Sequence, residues 1–530
     1  MNEIAAQLGQ VGLPEPVKAL ASRRWDVIVV GGGHNGLTCA AYLARAGKSV
    51  LVLEARQRLG GACTLERPFE DPRYVVSPCA YVIGLLDETV IRELDLKRRG
   101  LDFTLADPQL WIPYDDGTAF AQWLDHDRTV NSLRDLGLPQ KEIDGYLAYE
   151  DLFDRMRIKL RKGARDTWIG DSPSREELGA LLDDTYMSDV LFHASIADVI
   201  DDFVTDQRLK DALFGQGIIG TYAGPDDPGT AAVKLMHFIG ELDGVGAVWG
   251  YVKGGMGMVS FAIADAAREA GAVLAAGVPV AQVIPGEGVC LEDGTFIAAE
   301  KIVSNADPKR LMTMVADAPA DYRLRIAEWD VRSPVVKFNA ALHRLPSWTA
   351  APGETFMARG VVDVTTGLAE AQRAFERCEA GEPAVGFGEI YVQPGAPEGT
   401  HLMSVFGQYA PYAVKGGWEA RRDEVARQFI DLIGRYAPDF ADCLADYEVL
   451  GPPDIEARVG LTGGHIFQGE VRPDQMWDRR LTSRTPMEGV YLCGAATHPG
   501  GSVIALNGRN AAMAVLVDMG DSTRGTVDCP

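Results

Sequence analysis

The sequence predicts an α/β protein, in which a Rossmann-like nucleotide-binding domain is combined with further strands and helices in an α+β composite. Three observations predict this class. An apolar strand runs into a glycine turn at Gly31–Gly36 and then into a helix, and a similar strand and glycine turn recur from Gly489. Glycine makes up 58 of 530 residues, about 11% where about 7% is usual. This length is enough for two to four domains of about 150 residues each.

The N-terminal motif has the order strand, glycine turn, helix and strand. Asp26–Val30 is an apolar, β-branched run of strand length, and Leu37–Ala46 has helical composition. Ser49–Leu53 is a second apolar strand and ends on Glu54. Glu54 lies 18 residues beyond Gly36, near the distance at which a dinucleotide-binding unit carries its ribose-binding acid. We therefore predict that this turn binds a dinucleotide and that Glu54 accepts hydrogen bonds from an adenosine ribose.

Each glycine of the turn has a physical task in such a unit. Gly31 permits the tight turn, Gly33 lets a pyrophosphate approach the backbone, and Gly36 lets the helix pack closely on the strand. The start of the helix adds unpaired N–H groups and the positive end of the helix dipole. We interpret His34 as a spacer in this turn rather than as a catalytic base. The predicted cofactor-binding residues of the turn are Gly31, Gly33, His34, Asn35 and Gly36.

The residues after the second strand indicate FAD rather than NAD. Glu54, Arg56 and Gly60–Gly61 fit the E-x-R-x-x-x-G-G pattern that follows the second strand in many FAD proteins. Arg56 is a candidate for holding phosphate or for fixing the acidic loop through charge-assisted hydrogen bonds. The two glycines would let the chain pass close to the cofactor. The predicted contacts here are Glu54, Ala55, Arg56, Gly60, Gly61 and Ala62.

The middle of the chain alternates between helix-rich and strand-rich stretches. Residues from about Cys79 to Tyr251 are helix-rich, carry no glycine fingerprint and are predicted to form a separate lobe. An Asp-Gly turn at 293–294 between two β-type runs predicts a hairpin. Further predicted elements are the helices Ser260–Ala270 and Glu419–Arg435 and the strands Val278–Ile284, Lys301–Val303, Val335–Leu342, Ala384–Val392 and His401–Gln408.

The C-terminal part predicts another strand, glycine turn and helix. Gly489–Gly494 is an apolar strand that runs into glycine, and an apolar helix is expected over Val503–Met519. Ser502 is a candidate N-cap for that helix. The positive end of the helix would suit the negative charge that gathers on a reduced flavin.

Five segments of the chain together carry a family resemblance. They are the N-terminal turn, the loop that ends at Gly61, the segments Trp249–Gly257 and Gly460–Gly469, and the stretch Leu492–Ala512. They resemble the phytoene desaturase and carotenoid isomerase-like flavoproteins and, among these, the branch named pyridine nucleotide-disulfide oxidoreductase domain-containing protein 2. The resemblance extends over nearly the whole chain. It implies noncovalently bound FAD in a glutathione-reductase-type domain with an inserted substrate-binding lobe.

The resemblance also implies a division of the chain. The FAD-binding domain is expected to consist of residues 22–80, 250–310 and 455–520, with substrate-binding lobes at 81–249 and 311–454 and an N-terminal extension at 1–21. The turn Thr497–Val503 is expected at the isoalloxazine and the strand near Val280 at the adenine. Despite the name of the branch, no redox cysteine pair is expected, because Cys63 and Cys79 are 16 residues apart. The further cofactor contacts implied are Val280, Gly494, Gly501, Ser502 and Val503.

The chain departs from the family pattern on the expected substrate side of the flavin. His465 and Gln468 stand where the pattern has Asn and His, and the last motif has Ser502 and Asn507 where the pattern is richer in glycine. The catalytic candidates are therefore His465, Gln468, Asn507 and Cys79. Each has a purely structural alternative. These are a hydrogen-bonded core imidazole for His465, amides that satisfy buried backbone groups for Gln468 and Asn507, and a small buried apolar residue for Cys79.

Charge and composition exclude several classes of partner. The net charge of −24 repels the phosphate backbone of nucleic acids, so no nucleic acid is expected. No stretch approaches the ~20 apolar residues that span a bilayer, and the first 20 residues do not have the composition of a secretory leader. None of the eight cysteines lies in a CxxC spacing, so we expect a cytoplasmic protein with reduced cysteines and no metal site. A peripheral, hydrophobic membrane contact stays open.

The leading hypothesis is an FAD-dependent dehydrogenase, desaturase or oxidase. A hydride leaves a C–H bond of a small, lipophilic substrate, and a double bond forms when a neighbouring proton is lost. Because no NAD fingerprint is present, oxygen or a quinone is the expected electron acceptor. Three alternatives stay open: an amine oxidase that forms an imine, a redox-neutral isomerase that uses reduced FAD, and a lipid or prenyl carrier without redox activity. The complete FAD fingerprint argues against the carrier.

Overall fold

A seven-stranded sheet carries the N-terminal motif at its centre. The structure is a computed structural model that describes residues 2–521. The strand Trp25–Val30 pairs in parallel with Val50–Glu54 on one side and with Phe296–Ser304 on the other. Such strands read as continuous apolar runs because both faces of the sheet are covered. The order across the sheet is Val280–Ile284, Gly288–Leu291, Phe296–Ser304, Trp25–Val30, Val50–Glu54 and Val273–Ala276, and Val490–Leu492 pairs with Phe296–Ser304.

The strand Phe296–Ser304 changes partners along its length. Its first three residues pair antiparallel with Gly288–Leu291, which confirms the hairpin predicted from the Asp-Gly turn. Its last three residues pair in parallel with Val490–Leu492, and the strand as a whole includes the one predicted over Lys301–Val303. Ile302 and Val490, far apart in the chain, thereby become neighbours. The C-terminal turn is in this way brought to the same edge of the sheet as the N-terminal turn.

Two glycines let helices approach more closely than a side chain would permit. The fingerprint helix, His34–Arg45, packs against the C-terminal helix, Leu506–Asp518. A Cβ at Gly36 would lie 2.2 Å from the carbonyl oxygen of Gly31, and a Cβ at Gly508 would lie 2.2 Å from that of Asn35. The fingerprint helix is therefore held with its N-terminus at the carboxyl edge of the sheet, where α/β proteins bind their ligands.

A second seven-stranded sheet is mainly antiparallel. Side chains alternate across its strands, as the period of two requires. On one face Phe338 packs against Phe429 of the helix Trp418–Gly434, while Val335 and Lys337 face a cavity on the other side. The order across the sheet is Leu444–Leu450, Val335–Leu342, His401–Gln408, Phe387–Gln393, Val362–Thr365, Leu110–Pro113 and Ala119–Gln122. The two sheets and their covering helices confirm the predicted α/β class.

Eight helices form a helical lobe between residues 126 and 238. Its helices are His126–Asp135, Gln140–Arg161, Arg175–Leu182, Thr185–Phe192, Ile196–Phe203, Gln207–Leu213, Gly215–Ile218 and Thr230–Phe238. Helices elsewhere are Glu3–Ala6, Val17–Ala21, Glu88–Glu93, Gly257–Glu269, Pro308–Met314, Ala320–Glu328, Leu368–Glu379, Phe440–Cys443 and Pro452–Val459, with 3₁₀ turns at Phe356–Arg359, Thr462–Gly464 and Trp477–Arg479. Two short pairs of strands are Phe103–Leu105 with Gly250–Val252 and Glu241–Leu242 with Val245–Gly246.

The starts of several predicted elements were wrong, among them those of the helix predicted from Ser260, which begins at Gly257, and of the strand predicted from Ala384, which begins at Phe387. The C-terminal helix begins at Leu506 rather than at Val503, and its N-cap is Ala505, so Ser502 does not cap it. The reason is backbone conformation, because Ser502 and Val503 have φ values of 85° and 57°, which a right-handed helix excludes. The strand expected over Val278–Ile284 begins at Val280.

We predict that Gly36→Ala lowers stability by about 1–3 kcal/mol, because its Cβ would overlap a backbone oxygen that has no room to move. The measurement is the thermal midpoint of the FAD-loaded protein, together with the amount of flavin that copurifies. Gly179→Ala is the matched control, since nothing lies within 4 Å of its Cβ position in the helix Arg175–Leu182. That variant should be as stable as the parent or up to about 1 kcal/mol more stable. Equal midpoints for the two variants would contradict the predicted close approach.

Candidate active site

A cleft of about 2030 Å³ follows the carboxyl edge of the first sheet. The glycine turn forms one wall, the loop after the second strand forms another, and Pro279–Ala281 closes the far end. Gly36 lies behind the turn, where it packs on the strand. The predicted cofactor residues that line the cleft are Gly31, Gly33, His34, Asn35, Glu54, Ala55, Arg56, Gly60, Gly61, Ala62 and Val280.

Glu54 is fixed at the end of the second strand by backbone hydrogen bonds. Its Oε2 accepts from the N–H of Gly32 at 2.7 Å, and its Oε1 accepts from the N–H of Arg56 at 2.8 Å. Burial raises the pKa of Glu54, while the hydrogen bonds from Arg56 and Gly32 act in the opposite direction. Each carboxylate oxygen keeps a free lone pair for a further donor. The geometry therefore suits recognition of a ribose hydroxyl.

Arg56 belongs to a cluster of charges on one wall of the cleft. It pairs with Glu66, which also accepts from Arg458 at 2.9 Å, and Arg458 donates in turn to Glu448 at 2.7 Å. Burial raises the pKa of Glu66, but Arg458 and Arg56 outweigh it and lower the pKa overall. Arg56 thus fixes the acidic loop, one of its two predicted tasks. Arg458 and Arg310 also line the cleft, and sequence reasoning missed both because they lie far along the chain from the fingerprint.

A second cavity, of about 850 Å³, adjoins the cleft and is mainly apolar. Most of its wall is formed by apolar side chains, which come from the helical lobe, from the second sheet and from segments outside both. They include Val82, Ile219, Trp249, Val335, Phe406, Ile455 and Phe467. Five residues line both the cleft and the cavity, so the two spaces meet along one boundary. These are His34, Ala62, Leu461, Ile466 and Ala495.

Three polar side chains gather on one wall of the apolar cavity. Glu389 Oε1 accepts from the Tyr81 hydroxyl at 2.9 Å, and the Lys337 Nζ lies 3.7 Å from the centre of the Tyr81 ring. Burial raises the pKa of Glu389 to about 7 and lowers the pKa of Lys337 to about 7. Sequence reasoning missed these residues. A signal was present, since Lys337 and Glu389 are single charges inside otherwise apolar strands.

The four catalytic candidates from the sequence separate into two groups. Cys79 lines the apolar cavity, and burial raises the pKa of its thiol to about 11. Gln468 lines the cleft, where its Oε1 accepts from the N–H of Ala496 at 3.2 Å. His465 and Asn507 line neither of the two spaces.

His465 and Asn507 support the site from behind. His465 is fully buried, its Nδ1 accepts from the N–H of Phe467 at 3.2 Å, and burial lowers its pKa to about 3. Asn507 donates to the carbonyl oxygens of Thr497 at 2.8 Å and Gly500 at 2.9 Å. Both side chains therefore make hydrogen bonds within the protein, while His465 Nε2 and Asn507 Oδ1 have no partner within residues 2–521, and the catalytic role of the two residues stays a prediction.

The turn that Asn507 holds faces the apolar cavity through Ser502 and Val503. Gly501 is pressed against Phe467, and a Cβ there would lie 2.5 Å from the Phe467 ring. Gly494 lies beside Gln468 behind the boundary of the two spaces. A positive φ at a β-branched residue such as Val503 is strained, and such strain concentrates at functional sites.

One buried arginine ties together the loops that carry the boundary. Arg480 donates to the carbonyl oxygens of Phe467 at 2.8 Å, Glu470 at 2.7 Å and Ala495 at 2.6 Å. Burial lowers its pKa to about 9, while the charge of Glu470 acts to raise it. Arg480 therefore remains charged at neutral pH and acts as a clamp between segments that are distant in the chain.

Comparison with known proteins identifies the family. Residues 36–516 match the model of the flavin containing amine oxidoreductases. Pyridine nucleotide-disulfide oxidoreductase domain-containing protein 2 of Mus musculus is 32% identical, over 93% of this chain and 94% of that protein. Hydroxyneurosporene desaturase of Cereibacter sphaeroides is 25% identical, over 94% and 99% of the two chains.

The chain belongs to the flavin-containing amine oxidoreductase family. Its membership confirms the resemblance seen in the motifs, and it makes the chain an FAD-dependent oxidoreductase. A redesigned putrescine oxidase has the same fold, with a TM-score of 0.62 and 17% identity over 94% of this chain and 99% of that one.

The residues present fit the FAD of this family. At Gly33 and Gly61 only backbone faces the cleft, and the Cα of Gly33 would lie 3.3 Å from a Cβ at Gly61, so the two strands of chain leave a narrow passage. The fingerprint helix begins at this passage with free N–H groups, which favour a pyrophosphate. The buried His34 Nε2 and Asn35 Oδ1 have no partner among the described residues. FAD bound here would place donors and acceptors within reach of both atoms.

Within residues 2–521, no helix is both long and apolar enough to cross a bilayer. The seven cysteines in that range are all unpaired, and six of them are buried. Cys63 and Cys79 therefore form no disulfide with each other.

We predict that Glu54→Gln weakens FAD binding by about 10- to 100-fold. An amide has one acceptor oxygen where the carboxylate has two, so a backbone N–H of Gly32 or Arg56 loses its partner and the ribose loses one of its two acceptors, a loss of about 1–3 kcal/mol. The measurement is the dissociation constant of FAD from the apoprotein by flavin fluorescence. Asp293→Asn, at the exposed hairpin turn, is the control and should leave the constant unchanged. An unaltered constant for Glu54→Gln would remove Glu54 from the cofactor site.

Proposed function

We propose that this oxidoreductase is a dehydrogenase that forms a carbon–carbon double bond in a small, lipophilic substrate. The observation that supports the proposal best is the apolar cavity that shares a boundary of five residues with the nucleotide cleft. A flavin whose dinucleotide end lies in the cleft would present its ring at that boundary. Substrate in the cavity would then lie against the ring.

The lining of the cavity supports a lipophilic substrate. Most of the side chains that form its wall are apolar, as in the small-molecule sites of other proteins. Its charged groups are confined to one wall, where Lys337 and Glu389 lie. A hydrocarbon or isoprenoid chain would bury its surface without leaving polar groups unpaired.

The cofactor supplies the hydride acceptor when it is bound. The residues of the chain supply the rest of the chemistry. The apolar wall excludes water and orients the substrate C–H bond, which accounts for much of the rate gain in such reactions. Arg480 donates hydrogen bonds to the carbonyl oxygens of Phe467, which lines the cavity, and of Ala495, which lies on the boundary. Its positive charge there favours the negative charge that gathers during reduction.

We further propose the assignment of the cofactor contacts. In addition to the cleft residues, they comprise Gly36 through the helix start and Gly494, Gly501, Ser502 and Val503 through the C-terminal turn. The domain boundaries proposed are 22–80, 250–310 and 455–520 for FAD binding, 81–249 and 311–454 for the substrate, and 1–21 for the extension. Oxygen or a quinone is the proposed electron acceptor.

Amine oxidation is the second candidate function, because Glu389 offers a carboxyl group inside the cavity. An ammonium ion would pair with an ionised Glu389. Lys337 stands on the same wall, however, and a cation there opposes a second cation. This balance favours the uncharged substrate.

We predict that isoprenoid hydrocarbons bleach the visible band of the oxidised flavin under anaerobic conditions, and that amines of matched carbon number do not. The measurement is the absorbance of the FAD-loaded protein during titration with each panel, with the product analysed for a new double bond. Bleaching by amines alone, at a rate that rises with pH as the amine loses its proton, would contradict the proposal and support amine oxidation. An isomerised product, formed without any change in the absorbance of either oxidised or prereduced flavin, would contradict the proposal and support a redox-neutral isomerase. Oxygen or a quinone is then added, and the compound that restores the band of the oxidised flavin is the electron acceptor.

A further inference from the structure

Two buried carboxyl groups face each other beside the apolar cavity. Glu389 on the strand Phe387–Gln393 and Asp363 on the strand Val362–Thr365 are directly opposite in the antiparallel register. Their exposed fractions are 2% and 3%. Residues opposite in such a pair extend to the same face of the sheet. Two carboxylates this close in a dry site cannot both be ionised at neutral pH.

The surroundings give the two groups different tasks. Glu389 lines the cavity and is held by two donors, the Tyr81 hydroxyl at 2.9 Å and the Gln216 amide at 2.8 Å. Asp363 does not line the cavity, and its Oδ1 is buried without a partner within residues 2–521. A carboxyl group that accepts two hydrogen bonds is stabilised as the anion, and an unassisted one is stabilised as the acid. Asp363 therefore holds its proton and Glu389 is the group that changes charge.

Lys337 completes the charge balance of this wall. Its ammonium donates to Ser404 Oγ at 2.6 Å and lies over the ring of Tyr81, which in turn binds Glu389. Near pH 7, the state with Lys337 protonated, Glu389 ionised and Asp363 neutral gives the cluster a net charge of zero. A neutral cluster is the arrangement that costs least in a low-dielectric site.

We propose that Glu389 is the base that takes the proton from the substrate while the flavin takes the hydride, with Asp363 as its permanently neutral neighbour. This assignment rests on the proposed dehydrogenation. No other residue that lines the cavity is an anion at neutral pH. Cys79 and Tyr81 are the other acids there, and burial raises the pKa of both groups.

The step balances in atoms and electrons. One C–H bond breaks with its electron pair, which passes as hydride to FAD and reduces it by two electrons. The adjacent C–H bond breaks and leaves its electron pair in the new carbon–carbon double bond, while its proton forms the O–H bond of Glu389. Reoxidation of the flavin by the acceptor and loss of the proton to solvent return the site to its starting state.

The titration of Glu389 is set by groups on every element packed around it. Its pKa is raised by burial to about 7, with Tyr81, Gln216 and Lys337 acting to lower it. The titratable groups that face it are Tyr81, Lys337, Asp363, Tyr391 and Tyr251. Below pH 7 the base is protonated and inactive, so the rate of flavin reduction should rise through a step near pH 7 and then level off.

The test is the anaerobic rate of flavin reduction against pH in three variants. Glu389→Gln should slow reduction about 100-fold or more and abolish the step, because an amide accepts no proton. Asp363→Asn should keep the step and lose less than about 10-fold, since an amide resembles a carboxyl that already holds its proton. Lys337→Met should shift the step to higher pH, because removal of a cation raises the pKa of a neighbouring acid.

A distant carboxyl supplies the matched control. Glu142 is also buried and accepts from the N–H of Thr205 at 2.7 Å, far from both spaces, so Glu142→Gln should leave the rate and the step unchanged. The proposal is overturned if Glu389→Gln keeps the step, if Asp363→Asn loses it, or if Lys337→Met abolishes it, since the last result makes Lys337 the titrating group. Unaltered visible flavin spectra show that each variant retains its folded site.

An infrared titration tests the same pair without any substrate. Above pH 8 the FAD-loaded protein should show the carbonyl band of one buried protonated carboxyl, and below pH 6 it should show a second. Asp363→Asn should remove the persistent band, and Glu389→Gln should remove the titrating band. If this pattern holds while no hydrocarbon reduces the flavin, the dehydrogenation proposal fails and the carboxyl pair stands. If hydrocarbons reduce the flavin and the pattern is absent, the assignment of the base fails alone.

Discussion

The site depends on one buried guanidinium. Arg480 is surrounded by protein, and its hydrogen bonds go to main-chain carbonyls of Phe467, Glu470 and Ala495 rather than to a carboxylate. A buried charge is costly unless its donors are hydrogen-bonded, and both terminal amino groups of Arg480 donate to these carbonyls, while its Nε has no partner within residues 2–521. Ala495 lies on the boundary between the cleft and the cavity, and Phe467 lines the cavity. The position of that boundary, and with it the meeting of cofactor and substrate, follows from this interaction.

The cleft and the cavity differ in electrostatic character. The cleft carries charges in pairs, such as Glu66 with Arg56 and Arg458, beside a helix start that attracts phosphate. The cavity is apolar and confines its charge to Lys337 and Glu389, which balance each other. A polar cofactor and a lipophilic substrate can therefore meet at a boundary of small and apolar residues. This contrast explains how an acidic protein with a net charge of −24 can bind a dinucleotide locally.

Local patterns predicted the nucleotide half of the molecule, and long-range pairing determined the rest. The strand, glycine turn, helix and final Glu54 occur within thirty residues, so the sequence contained the whole unit. Glu389 and Asp363 become neighbours only because their strands pair in the second sheet, which no local signal indicates. His465 has a residue type suited to catalysis, but its full burial and its hydrogen bond from the N–H of Phe467 could not be predicted from its position in the sequence. Ser502 looked like an N-cap, yet its positive φ excludes it from the helix start.

The most direct test of this account is a crystal structure of the protein loaded with FAD. The account predicts that the adenosine lies between Glu54 and Val280, and that the flavin ring contacts the shared boundary. That boundary consists of His34, Ala62, Leu461, Ile466 and Ala495. One face of the ring should be open to the apolar cavity, with Glu389 on the opposite wall. A ring that lies outside this boundary, or that is separated from the cavity by protein, would contradict the account.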